Sequence, residues 1–400
     1  MASTSSSPAG PAEADSPIVH VAFSSSAAHF VACTATGVHV FSCDESVERV
    51  RYKSIADVSD GAEVTSAEML TWSRLAVVTR KTGGAEHEAI YFFDEKSKRT
   101  IRIETTTHTI LSVNDMRTIA NPTAHCSIRI SSTRTPGLGV VGGVRLLGDH
   151  VIIAGQEMAM LVVRGDIKNS ELVATGPNPL GLCALAVDRP AAAFVYALPR
   201  PEKGAVQVRR GGHPGSVDVR AHASSLSCIA LSRDGRLLAT AGSKGTLVRI
   251  FGTDDGAKLQ EASTLRRGID RADIHCITFS PDSRWLAVSS GKGTVHVFPI
   301  DKATSTTTAS SPAPATAKQG SSLPSFLKGY LPSYFSSEWS LAQARLREGV
   351  EYTVEFWRQD PNVILIAGTD GSFYRCRFDP TNAGEMKQLD CKRFMKIKGE

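Results

Sequence analysis

The sequence predicts an all-β fold, a seven-bladed β-propeller of the WD-repeat-like kind. The clearest observation is an internal repeat that starts at Ser232 and again at Ser280. Each copy contains an Asp-Gly or Asp-Ser turn, a short apolar strand, a Lys-Gly turn and a further strand. The glycines of the Lys-Gly turns, Gly245 and Gly293, lie 48 residues apart. A period of this length, built from short β-rich runs and polar turns, is typical of propeller blades.

Weaker copies of the same unit complete a ring of seven blades. They are short runs rich in β-branched and aromatic residues, found at Gly37–Phe41, Ala89–Phe93, Val144–Ile153, Leu182–Val208 and Gly371–Phe378. We therefore expect a propeller over residues 18–380, between a disordered tail at 1–17 and a C-terminal tail at 381–400. Residues 107–143 are poorly periodic and are interpreted as an insertion. A second, longer loop insertion is expected at 301–337.

Composition limits the classes of function. The chain has 400 residues and a net charge of +5, which is too weak by itself to indicate nucleic-acid binding. The longest apolar run is too short to span a membrane, so any membrane contact is expected to be peripheral. The residues before Ser16 do not resemble a signal peptide. None of the eight cysteines forms a C-x-x-C pair, so we expect buried reduced thiols and no metal site.

Three sequence motifs that would indicate an enzyme are incomplete or absent. His87-Glu88 is not followed by the second histidine of a zinc protease motif. The run from Gly291 to Thr294 lacks the upstream glycine of a phosphate-binding P-loop and precedes a strand rather than a helix. No G-x-S-x-G nucleophile elbow occurs either. We therefore expect a protein without catalytic activity and without a cofactor.

An arginine pair lies between the two clear blades, in Leu265-Arg266-Arg267-Gly268. Neighbouring side chains on a strand point to opposite sides, so the two arginines could serve two different sites. Arginine suits the bidentate recognition of phosphate. By itself the signal is weak, because a pair of surface arginines is usually a solvated edge.

This stretch resembles the PROPPIN family, WD-repeat-like propellers that bind polyphosphoinositides in autophagy. The family carries Phe-Arg-Arg-Gly or Leu-Arg-Arg-Gly between the fifth and sixth blades. The resemblance extends over about 144–380 and is strongest over 221–298. It implies two head-group sites. The first would contain His222, Thr240, Thr246, Arg249 and Arg266; the second would contain Arg267, Ser289, Ser290, Lys292, Thr294 and His296.

The residue types in both sets agree with phosphate binding, since hydroxyls, guanidinium groups and imidazoles all donate hydrogen bonds. One departure is Gly242, where relatives often have a hydroxyl residue, and this change loosens the expected first pocket. A simpler interpretation stays open, because serine, threonine and Lys-Gly are also what any propeller uses in its turns.

The 301–337 insertion begins as a Ser/Thr/Ala/Pro tract and then becomes apolar. Its second half carries one apolar stripe at helical spacing, formed by Leu323, Phe326, Leu327, Tyr330, Leu331, Tyr334 and Phe335. In the PROPPIN family a long loop of the sixth blade inserts into the bilayer, so the stripe is interpreted as a membrane-inserting wedge. The alternative is that it packs back on the propeller as core.

The resemblance also implies what the protein does. It would bind phosphatidylinositol 3-phosphate and phosphatidylinositol 3,5-bisphosphate as an effector in autophagosome formation, with a lipid-transfer autophagy protein bound on the opposite rim. It would be cytoplasmic and attach peripherally to the preautophagosomal structure, and to endosome or vacuole membranes. The rival interpretation is a WD-type scaffold that binds proteins and no lipid. Nucleic-acid binding is disfavoured, because the basic residues are not interleaved with aromatics.

Overall fold

The structure is a computed structural model. It describes residues 16–55, 61–81, 87–97, 99–106, 110–117, 125–128, 138, 140–163, 166–188, 193–211, 215–253, 260–300 and 338–395. All the regular elements in these ranges are β-strands, arranged in seven sheets that follow one another along the chain. The predicted seven-bladed β-propeller is therefore confirmed. The 301–337 insertion and most of the predicted N-terminal tail lie outside the described residues.

The first four blades are built from consecutive strands. Blade 1 comprises β1 (His20–Phe23), β2 (His29–Thr34), β3 (Gly37–Ser42) and β4 (Arg49–Ser54). Blade 2 comprises β5 (Glu63–Thr71), β6 (Arg74–Arg80), β7 (His87–Asp94), β8 (Arg99–Thr106), β9 (Ile110–Arg117) and β10 (His125–Ile128). Blade 3 comprises β11 (Gly143–Leu147), β12 (His150–Ala154), β13 (Met158–Val163) and β14 (Asp166–Ala174). Blade 4 comprises β15 (Ala184–Asp188), β16 (Ala193–Pro199), β17 (Ala205–Arg210) and β18 (Val217–Arg220).

In the last three blades, two short strands from later in the chain are added to earlier blades. Blade 5 comprises β19 (Leu226–Leu231), β20 (Leu237–Gly242), β21 (Leu247–Gly252), β22 (Gln260–Arg266) and the added β26 (Glu338–Trp339). Blade 6 comprises β23 (Ile274–Phe279), β24 (Trp285–Ser290), β25 (Thr294–Pro299), β27 (Ala342–Arg345) and the added β31 (Gly384–Glu385). Blade 7 comprises β28 (Tyr352–Phe356), β29 (Val363–Gly368), β30 (Ser372–Arg377) and β32 (Lys387–Arg393).

Two regions predicted to lie outside the blades contain strands. The expected C-terminal tail at 381–400 is too long, because β32 pairs with β30 and forms the fourth strand of blade 7. Its alternating polar residues lie at an outer sheet edge, so they carry little of the apolar signal by which strands are recognised. In the expected insertion at 107–143, β9 and β10 add two strands to the outside of blade 2.

The two clear repeats fold in the same way. Ser232 and Ser280 each donate a side-chain hydrogen bond of 2.6 Å to the aspartate two residues later. Each serine Oγ also accepts a hydrogen bond of 2.9 Å from the first backbone amide of the strand that follows. Gly245 and Gly293 both adopt a positive φ, 63° and 65°, which favours glycine. Their Lys-Gly turns therefore lie on the same rim of the ring.

Each blade buries both faces against its neighbours, and where the ring closes, none of the described strands is shared between blades 7 and 1. The closing contact is an apolar cluster in which Phe30 and Phe41 of blade 1 meet Leu365 and Phe373 of blade 7. Arg375, 4% exposed, donates hydrogen bonds from blade 7 to the carbonyls of residues 43 and 44. The first strands of the blades line a central cavity of about 510 Å³.

Candidate functional site

The arginine pair lies where β22 ends. Leu265 is buried between blades 5 and 6, and Arg266 follows it on the opposite face of the strand. Arg249 pairs with Thr264, two residues before Arg266, so Arg249 and Arg266 share a face. Arg267 lies beyond the strand and turns toward blade 6, where its charge acts on His296. The two arginines are thus directed to different blade junctions.

At the junction of blades 4 and 5, four of the five residues predicted for the first site share one region. The Nε2 atom of His222 lies 3.0 Å from Oγ1 of Thr240. Thr240 pairs with Arg249, whose guanidinium donates to the carbonyl of Ala221. His222 follows β18 and therefore belongs to the end of blade 4 rather than to blade 5. Thr246 accepts the Arg267 amide through its main-chain carbonyl, at 3.0 Å.

Gly242 faces this same cluster. A Cβ atom placed there would lie 2.5 Å from Oγ of Ser224 and 3.0 Å from the ring of His222. The hydroxyl of Ser224 therefore occupies the space beside the missing side chain. Sequence comparison of the turns could not reveal Ser224, because it lies in the loop between β18 and β19 and not in the turn that contains Gly242. The first cluster keeps a hydroxyl at this point, supplied by the loop that joins blades 4 and 5.

At the junction of blades 5 and 6, four residues form one hydrogen-bond chain. Oγ of Ser290 lies 3.0 Å from Oγ1 of Thr294, which lies 3.2 Å from Nε2 of His296. The Nδ1 atom of His296 lies 3.0 Å from Oγ of Ser340. Arg267 is held beside this chain because its Nε donates 2.8 Å to the carbonyl of Gly245. Its terminal nitrogen donates to the carbonyl of residue 270.

Two residues of the predicted second site are placed differently from the others. Ser289 is the strand neighbour of Ser290 and faces the other way, donating 2.5 Å to the carbonyl of Tyr352 in blade 7. Its side chain is therefore directed away from the hydrogen-bond chain. Lys292 lies exposed in the Lys-Gly turn, with Nζ 2.7 Å from a carboxylate oxygen of Glu348. It stays at the rim, within reach of solvent.

Both histidines are neutral at pH 7. Burial, and then the charge of Arg249, lower the pKa of His222 to about 4. Burial, and then the charge of Arg267, lower the pKa of His296 to about 4. Burial also lowers the pKa of Arg267, while Asp270 opposes the shift. Cationic and neutral donors thus converge at both junctions, an arrangement that favours an anion.

We expect stability to fall as the pH is lowered from about 6.5 to about 4.5. Between these values the unfolded chain binds protons at His20, His222 and His296, whose folded pKa values are all about 4. Burial raises the pKa of Glu355 to about 7, so this group contributes the opposite sign and offsets one histidine. Urea unfolding from pH 4.5 to 7 measures the slope of the free energy of unfolding against pH. His296→Gln should make it shallower by about 1.4 kcal/mol per pH unit, and an unchanged slope would contradict the neutral, buried imidazole.

Comparison with known proteins decides the family. The sequence pattern of the PROPPIN family matches residues 139–394. This chain belongs to the PROPPIN family. Membership places it among propellers that bind phosphoinositides, and it points to no enzyme family. The match contains both junction clusters and begins before blade 3, so the resemblance predicted from the arginine pair is confirmed.

Relatives of this PROPPIN occur in plants, fungi and amoebae. Autophagy-related protein 18e of Arabidopsis thaliana is 29% identical over 98% of this chain and 92% of its own length. Autophagy-related protein 18 of Dictyostelium discoideum is 33% identical over 56% of this chain and 62% of its own length. The solved structure of Kluyveromyces lactis Hsv2 aligns with a TM-score of 0.65 at 18% identity, over 95% of this chain and all of that one. This structural likeness supports the propeller fold.

Two features are absent from the described residues. Among these residues no helix has the length and apolarity needed to cross a bilayer. Within the same part of the chain, no cluster of histidine, cysteine and acidic side chains has the geometry of a metal site. The stripe predicted to insert into a membrane, from Leu323 to Phe335, lies outside the described ranges and stays a prediction.

Proposed function

We propose that this PROPPIN binds phosphatidylinositol 3-phosphate and phosphatidylinositol 3,5-bisphosphate through two pockets and acts, without catalysis, as an effector in autophagosome formation. The observation that carries the proposal is the division of the arginine pair. Arg266 shares a face with the blade 4–5 cluster, and Arg267 lies beside the blade 5–6 cluster. A simple solvated edge would leave both arginines exposed, yet the two residues are only 7% and 6% exposed.

The chemistry of each pocket suits a phosphorylated inositol ring. A phosphate monoester near pH 7 carries nearly two negative charges and accepts hydrogen bonds through three oxygens. Arg249 and Arg266 would provide forked donors at the first pocket, with His222, Thr240 and Thr246 around them. Arg267, His296, Thr294 and Ser290 would provide the second set, with Lys292 at the rim. Ser289 faces blade 7, so we leave it outside the contact set.

Neither pocket is expected to bind strongly alone. A hydrogen bond to a charged group contributes about 1.5–3 kcal/mol, and part of this is offset by ordering the ligand. Two pockets on one rim make the second contact intramolecular once the first lipid is bound. We propose that the 321–335 stripe adds an apolar contact with the same membrane. Attachment would then be peripheral and reversible, at the preautophagosomal structure and on endosome or vacuole membranes.

A protein partner on another part of the ring is compatible with this arrangement, because both pockets occupy one rim. Kluyveromyces lactis Atg21, a protein of the same fold, has been solved in complex with the coiled coil of AgAtg16. For the present chain we propose a lipid-transfer autophagy protein as the partner on the opposite rim. Pull-down of such a protein by the Arg266 and Arg267 variants would show whether the two surfaces are separate.

The two pockets should be separable. Calorimetry with inositol 1,3-bisphosphate, the soluble head group of phosphatidylinositol 3-phosphate, should give a stoichiometry of two for the wild type. Arg249→Ala should remove or weaken one site about tenfold, because one charged hydrogen-bond donor is lost. His296→Ala should do the same to the other site. The double variant should show no measurable binding.

Arg209→Ala provides a matched control. Arg209 lies on blade 4 and pairs with Glu171 on an outer surface, with an N–O distance of 2.6 Å. Its loss should leave both sites intact. A stoichiometry of one in the wild type, or equal weakening of both sites by either single variant, would contradict the two-pocket proposal. Binding of no head group at all would favour a scaffold that recognises proteins.

A further inference from the structure

Both clusters are touched by consecutive residues of one short segment, Glu338–Leu341, which we call the strap. Glu338 and Trp339 pair in parallel with Leu265 and Arg266 of blade 5. Leu341 donates its amide to the carbonyl of Val297 in blade 6, at 2.9 Å. The strap therefore bridges blades 5 and 6 along the rim that carries the arginine pair. The strap was not predicted from the sequence, since four residues show no periodicity.

At the first cluster the strap contributes an aromatic ring. The guanidinium of Arg266 lies 5.2 Å from the ring centre of Trp339, within the range of a cation–π contact. Trp339 is itself 57% exposed. A cation–π contact engages the face of a guanidinium and does not use the N–H groups at its edge, through which arginine binds phosphate. Trp339 thus restricts Arg266 without using its donors.

At the second cluster the strap contributes a hydroxyl, and its direction has a chemical consequence. A neutral imidazole has one donor and one acceptor nitrogen, so the hydroxyls on its two sides must have opposite roles. If Ser340 donates to Nδ1, then Nε2–H of His296 donates to Thr294. Thr294 in turn donates to Ser290, which is fully buried in this structure, and the Ser290 proton is then not used within the chain. If the chain ran the other way, Ser290 would donate to Thr294 and have no proton to offer.

We propose that Trp339 and Ser340 are positioning residues for the two pockets, Trp339 by holding the guanidinium of Arg266 and Ser340 by setting the direction of the hydrogen-bond chain that ends at Ser290. This inference rests on the proposed function. A phosphate accepts hydrogen bonds and donates few or none at neutral pH, so only the direction in which Ser340 donates leaves Ser290 ready for it. Because Trp339 and Ser340 are neighbours on the strap, this one segment contacts both pockets.

The direction of the chain can be measured without any ligand. Nitrogen-15 NMR at pH 7 should show His296 as the Nε2–H tautomer, with the signal assigned by its loss in His296→Gln. Ser340→Ala should increase the Nδ1–H fraction, and Ser340→Thr should restore the wild-type tautomer. A wild-type His296 that is mainly Nδ1–H would overturn the proposed role of Ser340. This result is independent of whether any lipid binds.

Calorimetry with inositol 1,3-bisphosphate tests the consequence for binding. Ser340→Ala should weaken one site about fivefold while Ser340→Thr retains it. Trp339→Leu should weaken the other site about fivefold while Trp339→Phe retains most of the affinity. Trp72→Leu, which changes a 53% exposed tryptophan on blade 2, should have no effect. Unchanged affinities in both Ser340→Ala and Trp339→Leu would overturn the inference, whereas a wild type that does not bind would instead refute the proposed function.

Discussion

Arg266→Thr combined with Arg267→Thr is expected to abolish flotation with liposomes that contain phosphatidylinositol 3-phosphate. The double variant removes one forked donor from each junction, so neither pocket keeps its strongest contact and the gain from two attachments is also lost. Flotation on a sucrose gradient, with and without the phosphoinositide, measures the effect. Loss should exceed a hundredfold in apparent affinity, since two contacts of about 1.5–3 kcal/mol each are removed together.

The structure also shows which control this experiment needs. Arg267 donates to the carbonyls of residues 245 and 270, so its removal costs stability as well as binding. Arg375→Thr is a matched change, because Arg375 is equally buried and also donates to carbonyls, at the junction of blades 7 and 1. It should lower the unfolding midpoint and leave flotation intact. Normal flotation of the Arg266 and Arg267 double variant would show that the pair does not bind the lipid.

Replacing Phe326, Leu327, Tyr330 and Leu331 with serine is expected to weaken liposome binding by about two orders of magnitude or more. Complete burial of an apolar side chain is worth about 1.5–3 kcal/mol, and insertion at an interface realises part of this for each residue. Binding of inositol 1,3-bisphosphate should stay unchanged, because both proposed pockets lie on the blades. Vesicle titration and calorimetry on the same variant separate the two effects.

Two controls apply to this variant: a change in salt concentration, and serine substitutions elsewhere in the same insertion. Raising the salt concentration screens the charged contacts but spares the apolar one, so the wild type should keep part of its affinity where the serine variant keeps none. Four alanines of the same insertion, Ala303, Ala309, Ala313 and Ala315, can be changed to serine with no expected effect. A serine variant with a lower unfolding temperature but full liposome affinity would show that the stripe packs on the propeller.

The repeat predicted the blades because the same local chemistry recurs in each copy. Ser232 and Ser280 close their turns through the same aspartate contact, and the two Lys-Gly turns share a positive φ. The alternation of strand side chains predicts that Arg266 and Arg267 point to different sides; in the structure Arg266 ends β22 on the face of Arg249, and Arg267 lies beyond the strand and turns toward blade 6. Such features depend on residues near each other in sequence, which is why they can be recognised without a structure.

The features that sequence reasoning missed depend on distant parts of the chain. Ser224 and Ser340 reach the two clusters from segments between strands, and their roles follow only from how those segments pack against the blades. The two-residue strands β26 and β31 are too short to show any periodicity. The family resemblance assigns both Ser289 and Ser290 to the second site, although neighbouring strand residues face opposite sides and Ser289 is directed to blade 7.

The closure of the ring has a consequence for how the chain folds as it is synthesised. Blades 1 to 4 each form from contiguous sequence, so their strands can pair soon after they leave the ribosome. The contacts that join the ends are of another kind. Thr353 donates to the carbonyl of Val21, 332 residues away, and Phe394 packs edge-on against Phe30 and Phe41. The aromatic face of the first blade is therefore uncovered until Phe373 and Phe394 have been made, so the nascent chain exposes this apolar surface while blades 2 to 6 are synthesised.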